Sequence, residues 1–165
     1  MSKEVNINTA DKKEMYDLLR DQITALVKDD KFFISSLSNI SSVLMDTLHD
    51  INWVGFYLRK GDTLYLGPFQ GKLACVEIKM GKGVCGTAAA EGQTKRIADV
   101  HTFAGHIACD CNTNAEIVIP IHENGEVIAV LDIDSTTFER FDETDQAGLE
   151  QLAVVIENNI KPLFV

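Results

Sequence analysis

The chain of 165 residues has no apolar run approaching the roughly 20 residues that cross a bilayer, and no repeat, linker or low-complexity segment. A membrane span is not expected. Its polar start, Met1-Ser2-Lys3-Glu4, carries no signal peptide. The expectation is a cytoplasmic protein, in a compartment whose reducing thiol pools disfavour permanent disulfides. Positive charge is scarce as well. Against 25 Asp and Glu there are 15 Lys and Arg, a net charge of −10, so a polyanion such as nucleic acid would meet repulsion. Finally, none of the four cysteines forms a Cys-x-x-Cys pair, the spacing that would favour a structural zinc site.

What remains is the composition of an ordinary globular domain, with 45% apolar and 24% charged residues. A chain of this length buries a core without crosslinks, so its cysteines are available for chemistry. Three of them, Cys75, Cys85 and Cys109, precede a set of carboxylates at Glu116, Asp132 and Asp134. That order joins possible thiol nucleophiles to possible proton donors.

Hydrophobic periodicity predicts a helix over Asp11 to Lys28 and a second from about Phe32 to Leu48, with serines on the face opposite its apolar stripe. Asn52 to Leu58, the turn Lys60-Gly61-Asp62 and Thr63 to Leu66 read as a hairpin, after which Gly67-Pro68-Phe69-Gln70-Gly71 should break regular structure. A strand is expected over Cys75 to Lys79, a short helix from Cys85 to Glu91 and a short strand at Lys95 to Ala98. Residues Asp99 to Asn114 lack periodicity but hold two histidines and two cysteines, which marks an active-site loop. A second, strongly apolar hairpin spans Ile117 to Ile121 and Glu126 to Ile133, joined by the turn His122-Glu123-Asn124-Gly125. Asp142 then opens a last helix, with Ile160 on its inner face and Pro162 ending it. The order predicts one α+β domain over residues 1–165, a largely antiparallel central sheet covered by helices. Its parts are N-terminal helices over 1–50, sheet and active-site loops over 51–140 and a C-terminal helix over 141–161.

Strand alternation places Trp53, Gly55 and Tyr57 on one side of their strand. The glycine between two rings suggests an aromatic slot for a methyl or thioether. The same alternation puts Asp132 and Asp134 on one face, with Glu116 opening the paired strand. Like charges and partial burial should raise at least one of their pKa values, giving either a proton donor near neutral pH or a cation site. Cys85 sits near a helix start, where backbone N–H groups favour a thiolate. Cys109, in the irregular loop near His106, is the better nucleophile. Cys109 and Cys111 are separated by about 6.6 Å in extended chain, at the upper edge of unstrained disulfide geometry, so Cys75 or Cys85 is the better partner for Cys109.

Taken together the motifs closely resemble the free methionine-(R)-sulfoxide reductases, enzymes built on a GAF domain. The carriers are Asn52-Trp53-Val54-Gly55-Phe56-Tyr57, Leu66-Gly67-Pro68-Phe69-Gln70-Gly71, Ala74-Cys75, Gly81-Lys82-Gly83-Val84-Cys85-Gly86-Thr87-Ala88, Gly105-His106-Ile107-Ala108-Cys109-Asp110 and Leu131-Asp132-Ile133-Asp134. The resemblance implies reduction of free methionine sulfoxide, with Cys109 catalytic, Cys75 the usual resolving cysteine and Cys85 a third that takes part in recycling. It places Trp53 and Tyr57 around the methyl-sulfoxide end of the substrate and assigns Glu116, Asp132 and Asp134 to binding. It further implies thioredoxin as reductant, no metal or organic cofactor, a role under oxidative stress, and is compatible with a homodimer. Cys111 has no counterpart in the pattern.

Two other readings compete. His101, His106, Cys109 and Cys111 supply zinc-type ligands in a short loop, though at poor spacing. A GAF-type sensor that binds a small ligand without catalysis is the other, because fold does not fix function. If the Cys109 thiolate is the attacking group, Cys109→Ser abolishes turnover of methionine sulfoxide; a variant with normal steady-state activity would overturn that assignment.

Overall fold

The computed structural model describes residues 9–28, 32–107 and 110–159. Cys109, Ile160 and Pro162 lie outside the described residues. Six strands form one antiparallel sheet: β1 (Trp53–Lys60), β2 (Thr63–Gly71), β3 (Glu77–Lys79), β4 (Lys95–Ile97), β5 (Ala115–Glu123) and β6 (Glu126–Ser135), in the order β3-β2-β1-β6-β5-β4. Three helices, α1 (Lys12–Val27), α2 (Phe33–Thr47) and α4 (Glu143–Asn159), cover one face, and α3 (Gly83–Glu91) packs on the other. The expected α+β antiparallel architecture is present. Among the described residues no helix is long and apolar enough to cross a membrane.

Alternation along three strands divides the side chains between the two faces. Val54, Phe56, Ile117, Ile119, Ile121, Ala129, Leu131 and Ile133 join the core under α1, α2 and α4. Each fully buried Leu, Ile or Phe there contributes about 1.5–3 kcal/mol of transfer free energy. Trp53, Tyr57, Val118 and Val130 point the other way, toward Val84, Cys85 and Ala88 of α3.

Local chemistry sets the elements. Asp11 caps α1, its side chain accepting from the Glu14 N–H at 2.8 Å. Asn124 and Gly125, both at positive φ (52° and 83°), make the two-residue turn between β5 and β6. The stretch Gly67-Pro68-Phe69-Gln70-Gly71 was expected to interrupt the sheet, and instead it extends β2. Gly55 pairs with Phe69 and Tyr57 with Leu66, so Phe56 alone opposes Gly67 and Pro68 in a bulge. The bulge tolerates a proline that has no N–H to give to the ladder. The expected strand at Cys75 shortens to Glu77–Lys79.

The serines of α2 are not all on an outer face, contrary to the periodicity reading. Ser36 and Ser41 are buried, and Ser41 Oγ donates to the Leu37 carbonyl at 2.9 Å and the Pro68 carbonyl at 3.3 Å. Back-bonding to the preceding turn satisfies the hydroxyl and lets a small polar side chain pass beneath β2.

A buried polar knot ties α1 to α4. Asp145 has no solvent exposure and accepts from Tyr16 Oη (2.8 Å), Lys12 Nζ (2.8 Å) and Arg140 (3.2 Å). Beside it, Gly148 lies so close to the Tyr16 ring that a Cβ would overlap it. Gly148→Ala should therefore destabilise by about 1–3 kcal/mol, read as a lower urea midpoint with an unchanged slope; a midpoint at or above that of the parent would show that the helices separate without cost.

Candidate active site

Register across three strands assembles the site. On the α3 side Trp53 stands opposite Asp134, Gly55 opposite Asp132 and Tyr57 opposite Val130. Glu116 stands opposite Asp134, and Val118 opposite Asp132. The two aromatics and three acids named from the sequence thus share one patch of sheet. Above them α3 places Cys85, whose Sγ lies 3.9 Å from Glu116 Oε1. Trp53, Tyr57, Cys85, Glu116, Asp132 and Asp134 all line one cavity of about 40 Å³.

The glycine of the aromatic pair acts differently from expectation. A Cβ at Gly55 would lie 2.7 Å from Trp53 Cη2 and overlap Phe69 Cβ. The gap is filled by the indole itself, which stacks on Phe69 (5.3 Å between centroids) and Tyr57 (6.0 Å). Gly55 therefore sets the tilt of Trp53 and leaves no slot of its own. The ring is fixed further by its Nε1–H donating to the Lys72 carbonyl at 3.1 Å, as is Tyr57 by its hydroxyl donating to the Cys75 carbonyl at 3.0 Å.

Burial governs the electrostatics. Glu116 and Asp132 are each 6% exposed, and desolvation pushes both carboxyls well above the usual range, helped by repulsion from Asp134 and Glu116 respectively. Asp134 is raised by burial and then by Asp132. Like charges at directly opposed strand positions are unfavourable, which favours the protonated forms further. His106 lies 3.6 Å from Glu116 Oε2, but burial lowers its pKa while that of Glu116 rises, so both shifts oppose an ion pair between them.

The thiols separate into distinct environments. Cys85 is free, 3% exposed, and its pKa is driven up by burial and by Asp132 and Glu116. Its place in the first turn of α3 suggested an activated thiolate, and burial, with the neighbouring acids, overrules the helix start. Cys111 is free and exposed, whereas Cys75 is disulfide-bonded. Of the zinc ligand set considered from sequence, Cys109 is outside the described residues and His101 is engaged with Asp99 at 2.7 Å.

Asn52 and Asp110, which the motifs contain without a role, sit on the rim with Lys72 and Thr113, which no motif contains. Asn52 Nδ2 lies 3.4 Å from both Asp110 Oδ2 and Thr113 Oγ1, and Lys72 pairs with Asp110 at 3.5 Å. Hydrogen bonding from the Asn112 N–H holds the Asp110 carboxyl low, so this acid stays charged beside three raised ones. Asp110 and Thr113 reach the cavity only because their loop folds over it.

Residues 15–160 match the GAF domain family. The chain is 53% identical over 146 residues to the free methionine-R-sulfoxide reductase of Escherichia coli, covering 88% of each chain. This chain belongs to the GAF-domain family of free methionine-R-sulfoxide reductases. Among solved structures of that family, the free methionine-R-sulfoxide reductase of Neisseria meningitidis in complex with its substrate superimposes with a TM-score of 0.92 at 40% identity, over 96% of this chain and 95% of that one. The reduced form of fRMsr from Staphylococcus aureus gives 0.86 at 49% identity, over 94% and 98%.

The raised carboxyls link to stability with a definite sign. A carboxyl whose folded pKa lies above its unfolded value of about 4.3 favours the native state at low pH and loses that contribution as pH rises through the folded value. Replacing Glu116 by the neutral isostere Gln removes the penalty. The expected outcome for E116Q is a higher Tm than the parent at pH 8 and a smaller or absent gain at pH 4; equal shifts at both pH values would show that Glu116 titrates normally.

Proposed function

We propose that the protein reduces free L-methionine (R)-S-oxide to L-methionine by thiol chemistry in the cytoplasm. The observation that carries this reading is the cavity itself, where Trp53 and Tyr57 face Glu116, Asp132 and Asp134 in a chain half identical to the Escherichia coli reductase. Aromatic faces suit the methyl-sulfur end of the substrate, and an acid of the set that is not the proton donor suits its ammonium. A closed pocket that takes both ends of an amino acid leaves no path for a peptide chain.

In the proposed cycle the Cys109 thiolate attacks the sulfoxide sulfur while Glu116 or Asp134, each with its pKa raised by burial, gives a proton to the sulfoxide oxygen. The new sulfur–sulfur bond then breaks as the hydroxyl passes to the Cys109 sulfur, releasing methionine and leaving Cys109 as a sulfenic acid. A second thiol then displaces water from it, giving a disulfide that an external dithiol of the thioredoxin type reduces by exchange. The disulfide-bonded state of Cys75 and the buried, raised thiol of Cys85 favour Cys75 as the resolving residue. No resident metal or organic cofactor enters these steps. A homodimer is the assembly proposed with this family.

A cavity of about 40 Å³ is far smaller than the 150 Å³ that takes up a benzene ring. Substrate entry therefore requires displacement of a wall, and the loop residues Leu73 and Ile107, at 90% and 39% exposure, are the wall with least to hold it. The deciding experiment follows NADPH oxidation with thioredoxin, its reductase and either free or peptide-bound methionine sulfoxide. Turnover of the free R epimer alone is expected. Binding of free methionine sulfoxide without any turnover would instead select the sensor reading.

A further inference from the structure

The cavity wall holds a donor set that the reductase cycle does not use as a set. Cys85 Sγ and one carboxylate oxygen each of Glu116 and Asp132 lie within 4.8 Å of one another, all three residues buried. Oδ1 of Asp132 is fully buried, on a side chain lining the cavity, and has no hydrogen-bond partner. An orphaned buried acceptor costs about 1–3 kcal/mol, which a bound cation would recover. His106 lines the same cavity, with Nε2 at 3.6 Å from the second Glu116 oxygen.

We propose that the chain binds one thiophilic divalent cation of the zinc class at Cys85, Glu116 and Asp132. Ligand atoms around zinc stand about 3.5 Å apart, so donors already within 4.8 Å of one another need to draw in by little more than about 1 Å. Metal–sulfur and metal–oxygen bonds form as the protons of Cys85 and of the two carboxyls leave for solvent, and no oxidation state changes. Sulfur with carboxylate oxygen selects zinc-class ions over magnesium or calcium. A double positive charge among three acids also removes the repulsion that keeps Cys85 a thiol. Because the ion would fill part of the cavity assigned above to methionine sulfoxide, it acts as an inhibitor and not as a cofactor; this consequence rests on the proposed substrate.

One structural fact separates this site from one that would use Cys75. Cys85 is a free thiol while Cys75 is disulfide-bonded, so the ion should bind to the oxidised chain as well as to the reduced one. Purified full-length protein is titrated with Co²⁺ in both redox states, following the thiolate-to-cobalt charge-transfer band, with Zn²⁺ stoichiometry taken from equilibrium dialysis. The expected result is one ion per chain in both states, with the band lost in Cys85→Ser and kept in Cys111→Ser. Should Cys85→Ser not fold, Asp132→Asn replaces it, with an expected loss of about tenfold or more in Zn²⁺ affinity. Absence of tight binding, loss of the band on oxidation, or unchanged affinity in Asp132→Asn would each overturn the proposal. One ion bound in both states but not displaced by methionine sulfoxide upholds the site and counts against the substrate reading instead.

Discussion

Three carboxyl groups buried on one face of a sheet, with α3 closed over them, are the constraint to which everything else in this site answers. Desolvation of Glu116, Asp132 and Asp134 raises all three carboxyls well above their ordinary acidity. The same burial raises the Cys85 thiol and the Tyr57 hydroxyl, with the acids adding to it, and lowers His106.

The same sheet serves stability and chemistry on opposite faces. The face beneath α1, α2 and α4 is almost wholly aliphatic and is fastened at its edge by the Asp145 knot. The α3 face can then hold acids whose burial is unfavourable, because marginal stability is secured elsewhere in the domain. Phe69 and Tyr57 hold the Trp53 ring by stacking, so the pocket wall does not depend on a ligand to keep its shape.

Much of this was legible in the chain. The 3.6-residue period of α1, α2 and α4, the Asn124-Gly125 turn and the two-residue alternation of β1 and β6 are local signals, and each led to the element observed. The alternation of Asp132 with Asp134 also placed both on one face. Where local signals failed, a distant partner had intervened. Pro68 reads as a strand breaker until β1 supplies a bulge to receive it. Ser41 reads as surface until its hydroxyl finds Leu37 and Pro68 carbonyls. Gly55 reads as an opening until the indole of Trp53 and the Cβ of Phe69 occupy it.

Side-chain type and spacing determined which residues could share a face, which could donate a proton and which could be oxidised, since those are properties of a residue and its near neighbours. Only the tertiary structure decided their pKa values and their company. Desolvation depends on what lies above a side chain, and α3 and the loop around Asp110 reach the acids across tens of residues of sequence. The environment of Cys85 shows the division: its helix start argued for a thiolate, and burial together with two acids brought from distant strands pushed its pKa up instead.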